Sequence, residues 1–205
     1  MGLGTLGVVV EEVSGRSLAD SVTANLFRPL GMGSTSFRLR DYCEDTLARG
    51  VTPNASGGFE YDNLGARQGQ PEGHPELASG MLKASASDLL RFSMMVGAGG
   101  QLNTRRVLAA QTVELMLHRQ LKADTQTCGD GRSDPGQQAL GFTHMPDATG
   151  RDWVGHYGGM NGFTASMWFE PRDDGLRYVV LMNQLDLESM NRIEVAVLSA
   201  FLPAP

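Results

Sequence analysis

Leu3, Leu6, Val10 and Val13 recur at spacings of three and four, the period of an amphipathic helix, and Gly15 ends the pattern. Ser17-x-x-Asp20 has the form of a capping box and opens a second helix, expected to run to about Phe27 before Pro29-Leu30-Gly31-Met32 closes it. From about Arg38 to Glu76 the chain is polar, rich in Gly, Pro and Asn, and almost aperiodic, so a long loop is predicted there. Ser85-x-x-Asp88 caps a helix carrying Leu89, Leu90, Phe92, Met95 and Val96, which Gly97, Gly99 and Gly100 break. A further helix is predicted from about Thr104 to His118, with Arg105-Arg106 at its solvated start. A second loose stretch covers Lys122 to Gln138.

The last third changes period. Leu140–Met145, Asp152–His156, Phe163–Phe169 and Arg177–Asn183 read as short strands, with a hairpin turn at Pro171–Gly175. Phe163, Ala165, Met167 and Phe169 alternate with Thr164 and Ser166, and Trp168 breaks the polar side. Tyr178 to Met182 is almost continuously apolar, as in a strand covered on both faces. Met190, Ile193, Val197 and Phe201 share one face of a C-terminal helix able to cover the sheet. The pattern gives an α+β chain, helical with long loops over residues 1–138, then an antiparallel sheet and helix over 139–205.

Composition narrows the function classes. At 205 residues, 41% hydrophobic and 20% charged, the chain is an ordinary globular one. Its net charge of −6 offers no footprint for nucleic acid or an anionic membrane surface. No apolar run approaches the roughly 18 residues of a membrane span. Met1 to Val10 lacks the positive charge of a signal peptide, and Glu11-Glu12 follows at once. Cys43 and Cys128 form neither a metal-ligand spacing nor a disulfide framework.

Several short motifs match by letter only. Gly2-x-Gly4-x-x-Gly7 has the dinucleotide spacing but lies inside the first helix, with no strand before it to present pyrophosphate; a close-packed glycine face is the better reading. Tyr61-Asp62-Asn63 has a Tyr-x-Asn form without a following helix. Ser85 is accounted for as a cap, and neither it nor Ser87 has a base at helical spacing. His74, His118 and His144 are scattered surface or packing histidines, and no metal or cofactor is expected.

His156 has different company. Gly155-His156-Tyr157-Gly158-Gly159-Met160-Asn161-Gly162-Phe163 places four glycines, expected in a turn, beside an ionisable ring. Backbone freedom there allows close approach of main chain to a ligand, an amide aimed at a developing oxyanion, and an imidazole that donates or moves a proton. A plain strand-end histidine is the alternative reading.

The pieces Leu6–Gly15, Phe27–Met32, Ala78–Phe92 and Gly155–Phe163, in that order, resemble the serine β-lactamase and penicillin-binding-protein superfamily. The resemblance is to its branch of class C β-lactamases, D-alanyl-D-alanine carboxypeptidases and esterases, and it spans nearly the whole chain. It implies a β-lactamase/transpeptidase-like fold with a serine nucleophile in Ser-x-x-Lys, a Tyr-x-Asn loop, and a Lys-Thr-Gly or His-x-Gly strand. His156-Tyr157-Gly158 fits the last. By that resemblance His156 is catalytic, the Gly159 amide is one oxyanion donor, and Tyr157, Gly158 and Asn161 line the substrate. Tyr157 stands where a small hydroxyl residue is common, which leans from lactam towards ester chemistry.

The resemblance also implies what to miss. The only lysines, Lys83 and Lys122, have no serine three positions before them. Met1-Gly2 falls on the last two positions of the family's Tyr-x-Asn-x-Gly, so the N-terminal strands and the nucleophile helix are expected to lie outside these residues. The expected function is that of the C-terminal portion of a β-lactamase-like serine hydrolase acting on a small-molecule or peptide substrate (lactam, D-amino-acid peptide or ester) and inactive alone. The alternatives are a ligand-binding pseudoenzyme and a purely structural fragment. The strand Arg177–Asn183 would then present an apolar edge open to self-association.

Overall fold

The computed structural model describes residues 2–38, 41, 46–62, 77–122, 137–147, 149–160 and 162–202. It is an α+β chain with a four-stranded sheet of order β5-β6-β7-β8 and two small antiparallel hairpins. Two compact units divide it. The first comprises Met1–Asp88, Gly158–Ala165 and Val180–Ala204; the second, Leu89–Tyr157 and Ser166–Val179.

In the first unit, α1 (Gly2–Ser14) stops at Gly15, whose left-handed φ of 63° is most easily adopted by a residue without Cβ. The apolar stripe of this amphipathic helix is exposed, and the buried residues are Gly4 and Gly7 of the expected close-packed glycine face. A Cβ on Gly7 would come within 2.9 Å of the Ala78 Cβ on α4 (Leu77–Gly80), so this face packs closely because it lacks side chains. Ser17 caps α2 (Leu18–Val22) by accepting from the Asp20 amide at 3.2 Å. The helix then widens into a π turn over Thr23–Phe27 and resumes as α3 (Arg28–Leu30), ending on left-handed Gly31. Pro29 has no N–H for the carbonyl four residues back and its ring crowds that carbonyl, which accounts for the widening and for a helix longer than predicted.

The expected loop after Arg38 contains a hairpin, β1 (Gly50–Pro53) with β2 (Phe59–Asp62). Asn54 builds its turn by accepting from the Ser56 and Gly58 amides at 3.1 and 2.8 Å. Asn54 to Gly58, part of the composition read as loop, are therefore turn chemistry between two strands. The buried Asp88 carboxylate takes the Ser34 amide and the Thr35 hydroxyl, each at 2.8 Å.

In the second unit, α5 (Ala86–Gly97) contributes buried Met95 and Val96, and Phe92, Phe142 and Phe169 form an aromatic row. The predicted helix from Thr104 is corrected. Gln101–Leu102 and Arg105–Arg106 are the hairpin strands β3 and β4, turned at Asn103 with φ 53°, and α6 is only Ala110–Leu117. Asn tolerates that left-handed turn and is a poor helix residue.

Strand β5 (Thr143–Pro146) pairs antiparallel with β6 (Asp152–Met160), His144 opposite Val154. A two-residue connection, which only antiparallel neighbours can use, leads to β7 (Phe163–Phe169). The side of β7 expected to be polar proves the more buried: Thr164, Ser166 and Trp168 are each almost fully covered. Thr164 can sit there because its hydroxyl donates to the Gln184 carbonyl at 2.7 Å and accepts from the Asp186 amide at 3.1 Å. β8 (Arg177–Met182) ends the sheet order, and Leu181 is exposed rather than covered on both faces. Asp186 caps α7 (Leu187–Phe201), of which Met190 and Glu194 are buried, whereas Ile193 and Phe201 of the predicted stripe are exposed.

Candidate active site

The start of β6 is fixed by polar contacts. Both carboxylate oxygens of Asp152 accept from Nη2 of Arg119 at 3.1 Å. It also lies 2.8 Å from Nδ1 of buried His144, whose Nε2 donates to the Leu117 carbonyl at 2.7 Å. The next residue, Trp153, is buried and its indole N–H donates to Asp147 at 3.0 Å. Burial opposes ionisation of Asp147. Hydrogen bonds from Thr149, Trp153 and the Arg151 and Thr149 amides outweigh it and hold the carboxyl at about 2.

Past this anchor, Val154 and Gly155 are buried and the strand then emerges. His156, Tyr157, Gly158 and Gly159 are all exposed. Gly155 is required by its neighbours, since a Cβ would lie 2.0 Å from the Met167 carbonyl oxygen and 2.6 Å from the Trp168 ring. The Tyr157 ring meets Trp168 edge-on with centroids 5.1 Å apart. Nδ1 of His156 donates a hydrogen bond to the Tyr157 carbonyl, which leaves Nε2 as the ring nitrogen for a ligand.

The glycines here are not in a turn, as expected from the sequence, because β6 runs extended through Gly158 and Gly159 to Met160. Only Gly162 takes a left-handed φ, 75°, and a Cβ there would meet the Gly50 Cα at 2.8 Å. At Gly158 the nearest atom to an added Cβ is the Ala165 Cβ at 3.6 Å, and at Gly159 it is Leu185 Cδ1 at 3.4 Å. Neither backbone nor neighbour demands glycine at these two positions. What their missing side chains provide is main chain that a ligand can approach closely, on one side of the strand at Gly158 and on the other at Gly159.

One strand therefore brings together His156, Tyr157, Gly158 and Gly159, while Asn161 lies outside the described residues. The other candidates are elsewhere. Ser85 Oγ accepts from the Asp88 amide at 3.2 Å and pairs with Ser87 Oγ at 3.0 Å, as a helix cap does. Lys83 is half-buried, its Nζ donates to the Met81 carbonyl at 3.0 Å, and burial lowers its pKa below the usual lysine value. His118 is exposed at the end of α6, and Tyr61 and Asp62 are on β2. Asn63, His74, Cys43 and Cys128 lie outside the described residues. The His144–Asp152–Arg119 cluster was not visible in sequence, although His144 and Asp152 flank one short hairpin loop. Among the described residues no three His, Cys, Asp or Glu side chains gather as metal ligands, and no helix is long and apolar enough to cross a membrane.

The Beta-lactamase family matches residues 1–200. Solved structures share the fold at low identity. An octameric penicillin-binding protein homologue from Pyrococcus abyssi is 23% identical, with a TM-score of 0.66 over 87% of this chain and 36% of its own. A class C beta-lactamase is 21% identical, with a TM-score of 0.68 over 100% and 57%. A beta-lactamase/D-alanine carboxypeptidase from Pseudomonas syringae is 19% identical, with a TM-score of 0.67 over 98% and 58%. The chain thus spans between about a third and three fifths of the length of these proteins. No curated protein matches.

Proposed function

Because the chain belongs to the beta-lactamase family, we propose that it forms part of an acyl-transfer site and does not itself carry the nucleophile. The observation behind this is the exposed run His156–Gly159 on a strand whose last two glycines, Gly158 and Gly159, serve no steric need of the fold. In this reading Nε2 of His156 donates or relays a proton at the acyl carbonyl or leaving group, and the Gly159 amide donates to the oxyanion. Tyr157 and Gly158, with Asn161 beyond, line the substrate. Complete catalysis needs a serine that attacks the lactam, amide or ester carbonyl, giving an acyl-enzyme that water resolves. Within these 205 residues no serine stands three positions before a lysine.

Purified chain incubated with nitrocefin, or with p-nitrophenyl acetate, should give no burst, and peptide mapping should find no acylated serine. A stoichiometric acyl-serine would overturn the proposal. The open strand without a nucleophile also favours a second reading, a ligand-binding pseudoenzyme. Saturable stabilisation by a D-alanyl-D-alanine peptide, without covalent adduct and lost in Gly158→Val, would establish it. Assembly belongs to the same proposal: the penicillin-binding protein homologue is octameric, and the edge of β8 offers a strand to a second copy.

A further inference from the structure

Among the described residues, the indole nitrogen of Trp168 is the one buried side-chain nitrogen or oxygen without a hydrogen-bond partner. The residue is 2% exposed, on the buried side of β7. Trp153 is buried to the same degree, and its indole N–H is spent on the Asp147 carboxylate at 3.0 Å. A buried donor left unanswered is costly, so the neighbours of Trp168 decide what answers it.

Those neighbours are on β6. Successive side chains of a strand point to opposite sides, which puts Gly155 and Tyr157 on one side and His156 on the other. Trp168 lies on the first side, since an added Cβ on Gly155 would come within 2.6 Å of its ring. The Tyr157 ring is 5.1 Å away, centroid to centroid, at an interplanar angle of 67°. The indole therefore fills the room that Gly155 leaves, with Tyr157 as the ring beside it. An aromatic face is electron-rich and accepts an N–H, and an edge-to-face pair is the arrangement that allows it.

We propose that the Trp168 indole N–H donates to the face of the Tyr157 ring, which makes Trp168 a positioning residue of the candidate site. Tyr157 is 37% exposed, so a ring seated on Trp168 still presents part of itself to a ligand. Its carbonyl accepts from Nδ1 of His156, so fixing residue 157 also fixes the oxygen that orients the imidazole. The positioning role rests on the acyl-transfer reading; the contact between the two rings does not.

Nitrogen–proton correlation spectra of the full chain test this through the indole N–H signals. Shielding by the ring face should place the Trp168 signal upfield of the Trp153 signal. Tyr157→Leu should move it downfield, and Tyr157→Phe, which keeps the face and drops the hydroxyl, should leave it upfield. A Trp168 signal level with that of Trp153, or one indifferent to Tyr157→Leu, overturns the proposal. The ring protons of His156, on the opposite side of the strand, should shift in Trp168→Phe, and unmoved signals would overturn the positioning role. The first measurement uses a substitution at a partly exposed position, so it decides on the contact even where Trp168→Phe does not fold. Neither uses a ligand, so an acylated serine or a failure to bind peptide would count against the acyl-transfer reading and not against the contact.

Discussion

Gly155 and Gly158 are three residues apart on one strand and have opposite reasons for being glycine. At Gly155 an added Cβ overlaps a backbone oxygen that cannot move without breaking the sheet. Gly155→Ala should therefore cost about 3 kcal/mol or more, read as a fall in the urea midpoint. Gly158→Ala has room, so its midpoint should stay within about 0.5 kcal/mol while any ligand stabilisation at the strand falls. The sequence displayed both glycines in one tract and could not separate them, because the difference lies in what β7 brings opposite each. Asp147 carries a second test. Its carboxyl is held at about 2, below the ordinary 3.8, so its contribution is complete above about pH 4 and drains away as the pH falls towards 2. Denaturant midpoints measured from pH 5 to pH 2 should fall less steeply in Asp147→Asn than in the parent chain, and parallel slopes would refute the assignment.

Among the elements, those with strong local signals were legible: the first helix, the Ser85-capped helix, and the strands of the last third. Periodicity identifies an apolar face without saying whether it turns inwards. On α1, two small residues pack more closely than leucine could, so the glycine face won the interior. On β7, hydrogen bonds to Thr164 made a polar position burial-competent, so the alternation gave the period and the wrong side. The two hairpins were missed because strands of two or four residues are too short to show a period. Elements are also tied by contacts that no pattern displays. His144 links the end of α6 to β5 and β6 through Leu117 and Asp152. His144→Leu should leave that carbonyl unpaired in the interior and cost about 1–3 kcal/mol. The amides of Thr143, His144 and Met145 should then exchange faster while those of α1 do not change; uniform acceleration would mean that the clasp is not local.

Over the whole molecule, the family was readable because its signature pieces are spread along nearly all of the chain, and the match over residues 1–200 bears that out. Those pieces mark the family without marking the site. Exposed aliphatic side chains such as those of α1 are ordinary on a folded surface. The site reading rests instead on one strand, His156 to Gly159, where glycine is present without steric need.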